Sequence, residues 1–265
     1  MAARGERDGD AMNPDALLGR VRKLLAMAEA EGLTEAARES YNVKAAELIA
    51  QYGIDRALIE EAAPSRVAAA DLVVALDSPY ARDKVSLLAS IAAPLGCRLV
   101  HRTVRRDRGT EHSAHLFGMD ADIRRVQVLF TSVLVQQAHG LAVTRPPRHE
   151  DPRAFRRSWM AGFALAVAQR LARTERTARE RAQAQQRADE RDGLESHPSV
   201  AVVLADRSQR VDAHLAAVYP RLRTPRARQL SGSGGREGYL AGERADLGLG
   251  NRVSGRVSPA IGSRG

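Results

Sequence analysis

Apolar positions along the chain change period several times, and each change marks an element. Leu17, Val21, Leu24, Leu25 and Ala28 recur at helical spacing. Asn13 ahead of them suits an N-cap and Pro14 the first helical position. Gly32 ends this helix. Thr34 then caps a second one, whose Tyr41, Ala45, Leu48, Ile49 and Tyr52 form one stripe, and Gly53 stands where a left-handed residue would stop it. The two stripes are expected to face each other. A third short helix starts at Asp55, with Ile54 and Ile59 placed as a hydrophobic staple.

After residue 70 the pattern becomes mixed. Asp71 to Leu76 reads as a strand broken by Pro79, and Val85, Leu88, Ile91, Ala92 and Leu95 share one face of a helix over 81–95 that Gly96 stops. Cys97–Val104 and Glu111–Phe117 read as strands joined by RRDRGT, a hairpin with a basic tip. From Met119 or Asp120 a helix turns Ile123, Val126, Phe130, Val133 and Leu134 inward and ends near Gly140. This β-α-β-β-α order predicts an α+β sheet with its helices on one face. Asp151 then caps a long helix that Pro152 starts, with Phe155, Trp159, Phe163, Val167 and Leu171 at steps of four. Its continuation, 172–192, alternates Arg with Glu and Asp, and nothing beyond Leu171 is expected to pack strongly. Val200–Leu204 reads as a buried strand, Val211, Leu215 and Val218 as a helix closed by Pro220, and Arg236–Leu247 as a last helix after the glycine run. The chain is thus divided into a polar tail (1–12), a helical hairpin module (13–63), a linker (64–70), an α+β domain with a small sheet and long helices (71–247), and a Gly-, Arg- and Ser-rich tail (248–265). Both tails are expected to be disordered.

The run RVRKLLAMAEAEGLTEAARESYNVKAAELIAQYGID, from Arg20 to Asp55, carries a resemblance. Its basic opening before Leu-Leu-Ala, its Ala-rich second helix with a Lys-Ala pair and its Tyr-Gly-Ile-Asp finish resemble the helical module of domain of unknown function family 2786. The later region is similar, less distinctly, to the segment C-terminal to that module in bacterial and phage proteins. The resemblance implies an architecture and brings no activity or functional residues.

Composition narrows the picture. Hydrophobic residues make up 44% of the chain, the ordinary globular share, so a core can form. The single cysteine, Cys97, excludes an intramolecular disulfide, and the chain opens without a secretory-type segment, which reads as cytoplasmic. No uninterrupted apolar run approaches about 18 residues, so no membrane partner is expected. The net charge of +9 invites phosphates, but only Lys23, Lys44 and Lys84 among the 41 basic residues are lysine. GC-rich coding favours Arg, Ala and Gly whatever the function, so charge alone does not name a polyanion. Its distribution is more telling: residues 1–70 carry 9 basic groups against 12 acidic, 71–150 carry 11 against 8, and 151–265 carry 21 against 12.

Candidate chemistry is sparse. His101, His112 and His115 gather on the hairpin, but strand residues three apart face opposite sides, so His112 and His115 cannot share an ion, although His101 could pair with either. HExxH and CxxC spacings are absent, and no metal or cofactor is expected. The run Ser231, Gly232, Ser233, Gly234, Gly235 could cradle a phosphate ahead of a helix, yet it satisfies neither GxxxxGK[ST] nor GxGxxG. Gly238, Gly242 and Ala245 instead suggest a helix packed closely on a neighbour. Cys97 leads an apolar strand, as a small buried hydrophobe does. Asp77, Asp83, Asp120 and Asp122 are explained by caps and turns. No catalytic residue is assigned.

The arginine clusters remain. Arg98, Arg102, Arg105, Arg106 and Arg108 crowd the hairpin, and Arg221, Arg223, Arg226 and Arg228 lie in a loop with no acid between Asp212 and Glu237. They suit phosphate contacts to DNA or RNA, and solvated faces of an arginine-rich protein account for them about as well. Aromatics for stacking bases are missing there. The first expectation is a non-enzymatic nucleic-acid-associated protein. The alternatives are an enzyme of unrecognised type, with its pocket near the hairpin and the glycine loop, and an interaction module that docks a protein partner through residues 13–63 or the charged helix.

Overall fold

A computed structural model describes residues 68–107, 109–191, 199–223 and 228–247, together with single positions between 20 and 57. The fold is α+β. In chain order it comprises β1 (Ala70–Leu76), α1 (Ala81–Ala92), β2 (Arg98–Arg106), β3 (Gly109–Gly118), α2 (Asp120–Val143), α3 (Pro152–Arg191), α4 (Val200–Val218) and α5 (Gly235–Arg244). The strands form one antiparallel sheet in the order β1-β3-β2. Strand alternation sends Leu72, Val74 and Leu76 of β1, Ala114 and Leu116 of β3 and Leu99 of β2 into the main core, beside Val85, Leu88 and Ile91 of α1 and Val126, Leu129 and Val133 of α2. Phe155, Trp159, Phe163 and Val167 of α3 complete that core.

The expected signals hold at several boundaries. The Ala37 N–H donates to Thr34 Oγ1 at 3.2 Å, and the Arg153 and Ala154 N–H groups donate to the two carboxylate oxygens of Asp151. Gly96, at φ 79°, adopts the left-handed turn that ends α1. Asn13, Pro14, Gly32, Ile54, Asp55, Ile59 and both terminal tails lie outside the described residues.

Three expectations are corrected and one is qualified. Val200–Leu204 is the start of α4 rather than a strand: Ser199 accepts from the Val202 N–H at 3.3 Å, and Val200, Val203, Arg207 and Val211 fall on one buried helical face. A short apolar run cannot by itself tell the two periods apart. Secondly, the helices are not confined to one face of the sheet. α4 lies on the other side, where Val100, Phe117, Met119, Val211, Leu215 and Tyr219 make a second apolar cluster. Thirdly, the distal half of α3 buries no apolar side chain beyond Leu171, as expected, but two polar contacts anchor it. Glu175 is buried and ion-paired with Arg125, and the Val200 N–H donates to Gln186 Oε1 at 3.1 Å. Fourthly, Gly53 is helical and does not take the left-handed conformation. A side chain there would collide with the Arg125 guanidinium, so the position is small because another part of the chain passes close.

By length and composition α2 could cross a membrane, with a mean hydropathy of 1.3 over 18 residues. Counting uninterrupted apolar runs misses it because Gln127, Ser132 and Gln136 intervene. Here its Ile123, Val126, Leu129, Phe130 and Val133 are buried in the protein core.

Two polar networks tie the layers together. In the first, Asp122 accepts from Arg125 at 2.9 Å and from Arg207 of α4 at 2.8 Å, while Arg125 also pairs with Glu175 of α3. Burial pushes the Glu175 carboxyl up, against the pull of the Arg125 guanidinium. In the second, the Asp71 carboxylate on β1 holds two histidines: Nε2 of His115 at 2.8 Å and Nε2 of His214 at 2.7 Å. The other ring nitrogen of His115 meets the Tyr219 hydroxyl at 2.8 Å, so this chain of contacts clamps the end of α4 to the sheet.

Truncating one partner of a buried ion pair leaves the other charge desolvated. Glu175→Ala is therefore expected to lower unfolding stability by about 3 kcal/mol in urea titration; a loss below about 1 kcal/mol would show that Asp122 alone satisfies Arg125. The Asp71 carboxyl is held below its usual range by its hydrogen bonds to His115 and then His214, opposed by desolvation. A depressed carboxyl stabilises the fold above its unfolded pKa and loses that contribution as pH falls through its folded value. Wild type is thus expected to exceed Asp71→Asn by up to about 1 kcal/mol at neutral pH, with the gap closing below about pH 4. Urea midpoints across that range would check it, and a gap that persists at low pH would contradict it.

Candidate nucleic-acid interface

The β2–β3 ladder outruns its neighbour. β1 makes its last pairing at Leu76 with His112, whereas β2 and β3 continue through Val104–Glu111 and Arg105–Thr110 to Arg106–Gly109. The two strands therefore project as a bare ribbon for about 10 Å at the usual rise per residue. Every described residue from His101 to Glu111 is exposed, on both faces. The strands extend through most of the segment expected to be the loop, β2 ending at Arg106 and β3 starting at Gly109.

Carboxylates sort the arginines. Arg98 lies beneath α4, where it donates to Ser208 at 2.9 Å and pairs with Asp212 at 2.8 Å. Arg106 pairs with Glu111 across the ribbon at 3.3 Å. Arg228 reaches α1 and pairs with the buried Asp83 at 2.9 Å. Arg105 stands on the ribbon and Arg102 on β2 just before it, where Ser113 still pairs with Ala75 of β1; strand alternation puts the two on opposite faces, both exposed and without a carboxylate partner among the described residues. Arg221 and Arg223 are likewise exposed beyond α4. Arg108 and Arg226 lie outside the described residues. The structure thus brings Arg105 and Arg106 onto the ribbon with Arg102 at its base, and draws Arg98 and Arg228 away into ion pairs with the helices.

The histidines divide as strand parity requires. His101 and His112 stack on one side with ring nitrogens 2.9 Å apart, and His115 points to the other, toward Asp71. Partial burial lowers the His101 pKa, with help from His112 and Arg82. A neutral His101 adds nothing to the ribbon's charge near neutral pH. Among the described residues no group of three His, Cys, Asp or Glu side chains could hold a metal ion.

The other sequence candidates resolve into packing. Cys97 is buried, and desolvation followed by the Asp122 charge pushes its thiol up to about 12, so it is a protonated core side chain. The glycine run is pressed against the start of α3: a side chain on Gly234 would come within 2.6 Å of the Phe155 carbonyl oxygen. The Ser233 N–H, which in a phosphate loop would meet the anion, donates to Glu150 Oε1 at 2.7 Å, so the protein's own carboxylate occupies that place. Gly238 and Gly242 let α5 lie directly on the α3 backbone, as their spacing suggests, and Gly242 would place a methyl 2.6 Å from the Phe163 carbonyl. Asp83 and Asp122, which sequence explains as turn and cap residues, are partners of Arg228, Arg125 and Arg207.

Sequence reasoning misses the clamp of Asp71, His115, His214 and Tyr219. Its hydrogen-bonded partners are up to 143 positions apart, and no local spacing announces them. Comparison with known proteins bears on the first part of the chain alone: no curated protein and no solved structure matches. Residues 16–56 match the family described as Protein of unknown function (DUF2786), the family that the Arg20–Asp55 motif resembles.

Proposed function

We propose that this is a cytoplasmic, non-enzymatic protein that binds nucleic acid by its phosphates, using the projecting β2–β3 ribbon as the contact arm. The observation that carries the reading is the ribbon itself, solvent-exposed on both faces and bearing Arg105, with Arg102 at its base, both free of carboxylates among the described residues. A two-stranded ribbon is narrow enough for the major groove of a duplex, about 12 Å wide, and arginines on opposite faces would then address the phosphates of both groove walls. The ribbon carries no aromatic residue, so affinity is expected from backbone charge rather than from stacked bases. Arg221 and Arg223 offer a second, separate pair of cations.

Each phosphate contact releases counterions, so binding weakens linearly on a log–log plot against salt. Retention of a duplex DNA in gel shift or anisotropy at graded salt is expected, and Arg102→Ala with Arg105→Ala should reduce the slope by about 2. Arg106→Ala, whose partner is Glu111, should change the slope by less than about half as much. Absence of binding at about 50 mM salt, or a slope unchanged in the double variant, would overturn the reading.

A further inference from the structure

A cleft lies away from the ribbon. It sits between the turn before α1, the second half of α2 and the start of α3, with a volume of about 290 Å³, lined by Tyr80, Lys84, Leu134, Gln137, Arg156 and Met160 among others. Three features set it apart from a packing defect.

First, the lining combines apolar walls with two cations. Lys84 donates to the Asp77 backbone carbonyl at 2.8 Å, Arg156 is half-buried, and neither has a carboxylate partner among the described residues. Several other half-buried or buried arginines among the described residues face carboxylates: Arg98 faces Asp212, Arg125 faces Glu175 and Asp122, and Arg207 faces Asp122. A cation that is partly desolvated and unmatched favours an anion arriving from solvent. Second, Gln137 is only 1% exposed, yet its carbonyl oxygen has no hydrogen-bond partner among the described residues, and its amide nitrogen reaches the Met160 carbonyl at a long 3.5 Å. A buried amide left this way carries a desolvation cost that a ligand donor would relieve. Third, Tyr80 on the rim holds φ at 62°, a left-handed conformation that non-glycine residues seldom adopt and that gathers at ligand-binding positions.

We propose that this cleft binds a small organic anion: a carboxylate or phosphate held by Lys84 and Arg156, an apolar body against Leu134 and Met160, and a hydroxyl or amine at the far end that donates to the Gln137 carbonyl. The volume suits a molecule of single-ring size, at the small end of ligand sites. Anion alone would not fill the apolar walls, and an apolar molecule alone would leave both the cations and the amide as they stand. The site does not depend on the nucleic-acid reading, because none of its residues is on the ribbon.

The test uses 4-hydroxybenzoate, with benzoate as the probe that lacks the donor, in titration calorimetry on the full chain. Wild type is expected to bind 4-hydroxybenzoate more tightly than benzoate. Lys84→Ala with Arg156→Ala should weaken both probes by about tenfold or more, since both lose the charge-assisted bonds. Gln137→Leu keeps the volume and removes the amide, so it should abolish the preference between probes while leaving benzoate affinity nearly unchanged. Circular dichroism on each variant separates loss of binding from loss of fold. No binding of either probe at about 10 mM, or affinity indifferent to the double substitution, would overturn the site. Equal affinity of wild type for the two probes would overturn the role given to Gln137.

Discussion

The buried guanidinium of Arg125 organises the molecule. A cation removed from water on all sides is tolerated only where carboxylates replace the lost hydration, and they come from different parts of the chain. Asp122 is supplied by the same helix one turn earlier, Glu175 by the far half of α3, and Arg207 arrives from α4 to share Asp122. Gly53 then closes over the guanidinium from the N-terminal region, where any side chain would collide with it. Val21 and Ile49 join the apolar cluster that α1, α2 and α3 build, so the helical module shares its packing with the α+β body. Charge balance at one point thereby specifies how the module and three of the long helices meet.

A second constraint acts at close range. The α3–α5 contact is backbone against backbone: Gly238 and Gly242 sit on the Trp159 and Phe163 turns of α3, and Gly162 returns the approach from the other side. Such contact leaves no room for side chains and fixes α5 along α3, which in turn presses the glycine run onto the first turn of α3. Arg170 locks the end of α5 by donating to the carbonyls of Gly242 at 2.8 Å and Ala245 at 2.5 Å. Glycines spaced loosely like a phosphate loop are thus consumed by helix packing.

Local features are legible in the sequence and remote ones are not. The caps at Thr34 and Asp151, the stop at Gly96, the face of each strand and the small-residue helix can all be read because a few neighbouring residues determine them. Val200–Leu204 reads wrongly as a strand because five apolar residues fit either period, and only the continuing face at Arg207 and Val211 decides for a helix. The arginine clusters are visible as composition, but which members stay available depends on carboxylates as far as 145 positions away, as for Arg228 and Asp83. The cleft is invisible for the same reason, since its cations come from α1 and α3 and its amide from α2.

That dependence also decides where the protein's excess positive charge can act. An arginine facing a carboxylate presents a dipole, whose field falls off faster than that of a lone charge and is screened within about 10 Å in salt. Arg98, Arg106 and Arg228 are in that condition, and the buried Arg125 and Arg207 are shielded from any approaching polyanion. What remains outward on the sheet is Arg105 on the two-stranded ribbon and Arg102 at its base, with no described helix behind the distal part. The ribbon is the one described part of the sheet that can enter a groove rather than lie against a flat surface, because β1 stops short of it. A charge that protrudes meets phosphates before the acidic groups of the body do, and for that reason geometry, more than the total of +9, supports the proposed affinity of the arm for a polyanion.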